Sequence, residues 1–279
     1  MRKHVVALLA GAWASTIAGE AEAQTRPGVE ISAELFDYSY RERLDGATVA
    51  RDDGLFGGIG ASYVETIGGG AFLRGRLNVA LGSVDYRSPR QAADGSPDGN
   101  SRLDNVSQAI GQLELHLGKD FTMANGATLT PFVGLGSRYL KDESGGETTD
   151  DGLLGYDREI SYAYVPIGLS GRLPWGLTVS GQYNLVADGR ARSNFSNLDP
   201  AFPDVKADLG SGSGYEFSAL LSFGAGRRAL SFGPFIRGWS IGRSKSVILV
   251  DPAGSGETVE LFEPRNRTTE FGLRASFSF

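Results

Sequence analysis

Along most of this chain apolar and polar residues alternate one by one, the period of a half-buried β-strand rather than of a helix. From Ala71 to Leu81 the odd positions include Leu73, Leu77, Val79 and Leu81, while the even ones include Arg74, Arg76 and Asn78. From Ser107 to Leu117 the odd positions end in Leu113, Leu115 and Leu117, and Gln108, Gln112, Glu114 and His116 hold the even ones. The alternation predicts strands over 29–40, 54–66, 71–85, 105–119, 128–140, 158–172, 177–188, 214–224, 230–243 and 267–279. Each is long enough for the ~9 to 11 tilted residues with which a strand crosses a hydrocarbon layer.

The connectors between these segments alternate in length. Short ones fall at Ile67-Gly68-Gly69-Gly70, around Asn125-Gly126, at Pro174-Trp175-Gly176 and from Gly224 to Arg228, where Gly and Asn supply the positive φ of tight hairpins. Long ones, rich in Asp, Gly, Ser and Pro, cover 41–53, 86–104, 141–157, 189–213 and 244–266. A soluble sandwich has no reason to sort its loops in this way, whereas a membrane barrel has short turns on one side and long loops on the other. The expected fold is all-β: a transmembrane antiparallel up-and-down β-barrel of about ten strands, or of eight or twelve if a long connector hides or mimics a strand pair.

Composition agrees with export. The start MRKH is basic, the run Val5 to Gly19 is largely apolar, and Ala21-Glu22-Ala23 has the small-x-small form of a cleavage site, so residues 1–23 are expected to be a signal peptide and 24–279 the barrel domain. There is no cysteine, so disulfides contribute nothing. Glycine supplies 40 of 279 residues, about twice its usual share, without a collagen-like period. The net charge of −6 argues against a nucleic-acid partner.

The chain ends in FGLRASFSF. Phe271, Leu273, Ala275, Phe277 and Phe279 share one face, and Glu270, Gly272, Arg274, Ser276 and Ser278 share the other. This resembles the C-terminal signal of Gram-negative outer-membrane β-barrel proteins, in which a terminal aromatic closes the last amphipathic strand. The resemblance implies Phe271, Leu273, Phe277 and Phe279 as an insertion signal read by the barrel-insertion machinery. It also implies periplasmic chaperones during biogenesis, with outer-membrane lipid and lipopolysaccharide as surroundings. Pro234 to Ile241 and Glu263 to Gly272 look like the closing hairpin of a group of small porin-like outer-membrane proteins, a family that implies no activity.

If the odd parity faces lipid, the even parity lines a lumen. The expected polar network is Glu30, Glu34, Arg74, Arg76, Glu114, His116, Arg138, Arg158, Arg172, Asp188, Glu216, Arg237, Glu270 and Arg274. Ten strands enclose a lumen that long side chains nearly fill, so these charges are expected to pair and plug it, with an arginine-lined anion route as the functional alternative. Aromatics near strand ends, Tyr40, Phe121, Tyr139, Tyr156, Trp175 and Tyr215, are expected at the membrane interfaces.

Chemistry is thinly represented. Omptin proteases, which are ten-stranded barrels, use an Asp/His pair and an Asp pair at the outer rim. The single histidine after the leader, His116, falls near the opposite end and on the inward parity, which also removes an exterior His/Ser lipase pair. No catalytic residue and no cofactor is assigned. The acidic loop with Asp142, Glu143, Asp150 and Asp151 is a weak metal candidate without calcium-loop spacing. The expected role is a porin-like or structural outer-membrane barrel, with surface recognition through the long loops or an atypical barrel hydrolase as alternatives.

Overall fold

In lipid a strand needs a hydrogen-bonded partner on each side, and every main strand of this chain has two. The computed structural model describes residues 27–91, 97–225, 228–250 and 258–279; the expected leader lies outside them. Ten strands form the ring: β1 (Gly28–Leu44), β2 (Ala47–Gly68), β3 (Ala71–Gln91), β4 (Pro97–Lys119), β5 (Thr128–Glu143), β6 (Arg158–Arg172), β7 (Leu177–Ser193), β8 (Gly212–Ala225), β9 (Arg228–Ile241) and β10 (Arg265–Ser278). Each pairs antiparallel with its chain neighbours. β10 also pairs with β1, from Glu30 opposite Ser278 to Arg43 opposite Arg265, which closes the barrel. Val29 and Phe279 exchange backbone hydrogen bonds of 3.1 and 2.9 Å at the seam.

At the end that carries the short turns, the start of β1 and the finish of β10, strand limits lie close to those the alternation predicts. At the other end the strands run on. β1 and β2 meet at a two-residue turn, Asp45-Gly46, with φ of 50° and 87°, and β3 and β4 continue to Gln91 and from Pro97. Two of the expected long connectors, 41–53 and 86–104, are therefore mostly paired strand. The alternation persists there, but the outward side chains become polar (Arg41, Arg51, Asp53, Asp85, Arg87) because this part stands beyond the apolar band.

The band itself is continuous around the exterior. Ile59, Leu81, Leu135, Phe217 and Phe223 are all more than half exposed. From Leu73 to Leu81 on β3 the outward positions carry no charge, as expected where a cation would cost ~2–4 kcal/mol at mid-bilayer. Such a surface on a water-soluble monomer would exceed any ordinary apolar patch.

Two irregularities decide which residues face inward. Asn105, at φ 62°, lies in a register shift between β3 and β4, where the buried parity passes from even (Val106, Gln108) to odd (Leu103, Ser101). On β7 the pairing jumps from Asp188 opposite Ala163 to Val186 opposite Tyr164. Gln182 and Asn184 are buried on one side of this bulge and Ala191 on the other. Asp188, expected in the lumen, is consequently exposed on the outside; an extra residue in one strand reverses the face of all that follow.

The glycine content has a packing cause. A Cβ on Gly214 would sit 2.4 Å from the Trp239 ring, and one on Gly136 would sit 2.4 Å from Tyr164. Inward aromatics thus lie flat across glycines of the next strand, which lets large rings fit in a narrow barrel.

Candidate functional site

The interior is built in tiers. At mid-height lies a charged belt of four carboxylates, Glu34, Glu114, Glu216 and Glu270, and four guanidiniums, Arg76, Arg138, Arg237 and Arg274, so its charges balance. Arg237 donates through Nε to Glu216 (3.0 Å) and through Nη1 to Glu270 (2.6 Å). Arg274 donates to Glu34 (2.8 Å) and Glu216 (2.9 Å), and Arg76 to Glu216 (3.0 Å). Arg138 bonds the other oxygen of Glu270 and lies over the Trp239 ring at 5.5 Å. Gln182 and the Tyr164 hydroxyl each donate to Glu114 at 2.8 Å. Strand order gives these bonds their meaning: β3 and β8, which carry Arg76 and Glu216, lie half-way round the ring from each other, as do β5 and β10, which carry Arg138 and Glu270.

Above the belt, toward the extended strand ends, the interior is apolar and aromatic. Phe36, Tyr38, Tyr40, Phe56, Val84, Ile110, Tyr162, Tyr164 and Trp239 belong to one buried cluster. Trp239 contacts both Tyr162 and Tyr164 at 4.9 Å between centroids, and Phe36 contacts Phe56 at 5.5 Å and Phe235 at 5.9 Å. Tyr40, expected at a membrane interface, points inward and is 2% exposed; an even position on β1 cannot reach lipid. Phe121, Tyr139 and Trp175 do face outward, and Tyr156 instead stacks on Phe195 in the outer loops at 4.6 Å.

At the outer mouth four acids, Glu42, Asp52, Asp142 and Glu263, gather around Arg158. Arg158 bonds Glu42 across the lumen, from β6 to β1, and Glu263 at 3.2 Å. Tyr40 donates to Glu42 (2.9 Å) and Glu263 (3.2 Å), and Gln108 bridges Asp52 (3.3 Å) and Asp142 (2.9 Å). Glu263 comes from the last outer loop. Burial pushes its carboxyl up to about 7 against the pull of Arg158, and Glu42 adds to the rise. The outer loops are bonded to one another: Asp157 accepts from Gly145 N–H (2.7 Å), its own N–H donates to Asn197 (3.0 Å), and Asp150 accepts from Arg102 N–H (2.9 Å).

Below the belt the interior opens into a cup of about 780 Å³ at the end where β1 begins and β10 finishes. Serine and threonine hydroxyls recur along its walls among apolar residues such as Val64, Phe132 and Leu220, and it holds Glu30, Arg74, His116 and Arg172. Of the expected network, eight residues thus form the belt, Arg158 the mouth and four the cup, while Asp188 lies outside. The metal candidates do not converge. Asp142 turns inward to Gln108, Glu143 outward to Lys141, Asp150 caps Arg102 N–H, and Asp151 accepts from Ser101 and Thr149 at 2.7 Å. No group of three or more possible ligands is found among the described residues. The sequence expectation leaves out Glu42 and Asp52 because the polar composition of 41–53 resembles a loop, although inward parity marks both residues; Glu263 carries no such signal.

No family model and no curated protein sequence matches the chain. Among solved structures it is similar to the outer membrane protease OmpT from Escherichia coli, with a TM-score of 0.55 and 10% identity over 90% of this chain and 97% of that one. An outer membrane channel from Pseudomonas putida F1 aligns with a TM-score of 0.39 and 10% identity, over 95% of this chain and all of that one. The translocator domain of the autotransporter NalP from Neisseria meningitidis aligns with 0.36 and 11%, over 92% and 90%. At these identities the likeness is one of architecture, and the OmpT match carries it: the chain has the fold of an outer-membrane β-barrel.

Proposed function

We propose that this chain is a non-conducting, non-enzymatic barrel of a Gram-negative outer membrane, porin-like in build and structural in role, which holds a fixed outer rim available for surface contacts. The observation that supports this reading is the set of bonds across the lumen: Arg76 to Glu216, Arg138 to Glu270 and Arg158 to Glu42, at successive heights, with the aromatic tier between belt and mouth. A solute passing through would have to part these pairs, and leaving one buried partner uncompensated costs about 3–5 kcal/mol.

In this reading the short turns and both termini face the periplasm and the extended strand ends face outward, as is usual for such barrels. A cleaved leader delivers the chain, and the insertion machinery reads the outward row Phe271, Leu273, Phe277 and Phe279. Lipid and lipopolysaccharide then surround the apolar band. His116 lies in the cup, on the far side of the belt from the rim, which argues against a histidine-based hydrolase acting outside. Recording purified, refolded protein in planar bilayers tests the reading. Silent traces are expected, and uniform conductance steps that appear in every preparation would overturn it.

A further inference from the structure

The cup has chemistry that the plugged lumen above it does not use. Its charged members are unevenly committed. Glu30 accepts the Ser278 hydroxyl at 3.2 Å, and Asp120 accepts that of Thr130 at 2.7 Å. Arg76 and Arg274 belong to the belt. Arg74 and Arg172 have no ion pair and no hydrogen bond to any described residue; Arg74 only rests over Phe72, 5.0 Å from its centroid.

Three more residues at the cup carry buried polar atoms that make no hydrogen bond: the Asn78 amide nitrogen, both ring nitrogens of His116 and the Thr128 hydroxyl, on residues 9%, 3% and 4% exposed; His116 Nε2 lies 3.5 Å from the Glu114 carboxylate of the belt, which leaves Nδ1 unengaged. The register places these groups on one continuous wall. Arg74 stands opposite His116 across β3 and β4, and Thr128 stands opposite Arg172 across β5 and β6. All can donate hydrogen bonds, the imidazole through one of its nitrogens. The facing wall, from β7 to β9, offers serine hydroxyls such as Ser180, Ser218 and Ser231.

Buried donors without acceptors are costly, and two guanidiniums beside them create a field that favours negative charge. The volume lies within the range of small-molecule sites, and the belt closes the cup at its deep end. We propose that this cup is a blind binding site, open at the terminal end, for a small hydroxylated oxyanion: the guanidiniums hold a phosphate or carboxylate, and the serine wall holds the hydroxyls. The inference goes beyond a structural role and rests on the proposed orientation only for its compartment, the periplasm.

Isothermal titration of the full mature protein in an uncharged detergent tests it, with glucose 6-phosphate, inorganic phosphate and glucose as probes. Saturable binding of glucose 6-phosphate is expected, with weaker binding of phosphate and none of glucose. The double variant Arg74→Gln/Arg172→Gln should lose about tenfold or more in affinity, the loss of a charge-assisted hydrogen bond. Asp188→Asn, on the barrel exterior, should bind like the parent. Retained heat-modifiability on gels shows that each variant is folded, and Arg74→Lys/Arg172→Lys, which keeps the charge, should recover part of the binding if the double Gln variant fails to fold. Absence of saturable binding at millimolar probe, equal binding of glucose, or unchanged affinity in the double Gln variant would each overturn the proposal. Conductance does not enter, so this outcome and that of the bilayer recordings are independent.

Discussion

The outer half of this barrel is filled as a soluble protein's core is filled, and the half that carries the termini is not. Above the belt Trp239, Tyr164, Phe36 and Phe56 are at most 2% exposed, and Trp239 meets Tyr164, and Phe36 meets Phe56, ring to ring. Below it, the inward positions of β7, β8 and β9 are small or hydroxylic for the most part, Thr178, Ser180, Ser218, Ser222, Ala229 and Ser231, around a cup of about 780 Å³. Within the apolar band both halves meet the same lipid outside: exposed Leu35 and Leu55 stand beside the filled half, and exposed Leu73 and Phe277 beside the cup. What differs is the inward set alone, and it shows that the bilayer dictates one face of each strand while the other is free to become core or cavity.

The largest effects should come from breaking the filled half. Trp239→Ala removes the ring that Tyr162, Tyr164 and Arg138 pack against, and a loss of about 3–5 kcal/mol is expected in urea unfolding from lipid vesicles. Glu270→Ala, which leaves Arg138 and Arg237 buried without their shared carboxylate, should cost a similar amount, about 3–5 kcal/mol. Replacing both Arg138 and Glu270 by methionine should recover part of that loss, because the penalty lies in the unpaired charge.

A smaller effect is expected from overfilling. Gly214→Val pushes a side chain into the Trp239 ring and should cost about 1–3 kcal/mol. In the open half, Ser218→Ala should change stability by less than about 0.5 kcal/mol. If Ser218→Ala proved as damaging as Trp239→Ala, the contrast between the halves would fail.

The finest test concerns the mouth. The Glu263 carboxyl is raised from its ordinary 4.5 to about 7 in the folded protein. Between those values the folded state holds a proton that the unfolded state has released, so the attachment of this loop is strongest at low pH and weakens as pH rises through that window. Ser244 N–H donates to the Glu263 carbonyl at 3.0 Å, and Glu263 N–H donates to the Ser244 hydroxyl at 2.8 Å. Hydrogen exchange at these two amides, corrected for intrinsic rates, should quicken a few-fold from pH 5 to pH 8 in the parent. In Glu263→Gln, which cannot titrate, it should stay level.

Much of the scaffold was legible in the residues. β6 spans 158–172 as its alternation predicts, because Leu173-Pro174-Trp175-Gly176 ends it abruptly on one side and an acidic loop on the other. The outer ends of β1 to β4 were not legible as strand, since their outward side chains turn polar beyond the lipid while the inward face mixes Glu42, Asp52 and Ser101 with Ala50 and Leu103, so the contrast between the faces fades. Pairing of the inward charges was foreseeable from the width of a ten-stranded lumen. The aromatic tier was not, although Phe36, Tyr38 and Tyr40 stand at successive even positions of β1, since that parity had been assigned to polar residues. Asp188 exposes a deeper limit. A bulge inserts one residue without any side-chain signature, and parity counted from the near end is then wrong beyond it.

The seam between β1 and β10 joins the first strand of the barrel to the last, so the hydrogen bonds from Val29 to Phe279 link residues almost a whole chain apart. Such a contact can form only once the last strand of the barrel exists, and nearly all of the barrel's configurational freedom is given up in the step that makes it. Without its last dozen residues the protein would be a curled ribbon with two bare borders rather than a slightly weaker ring, and a hydrocarbon solvent offers those borders nothing to bond with.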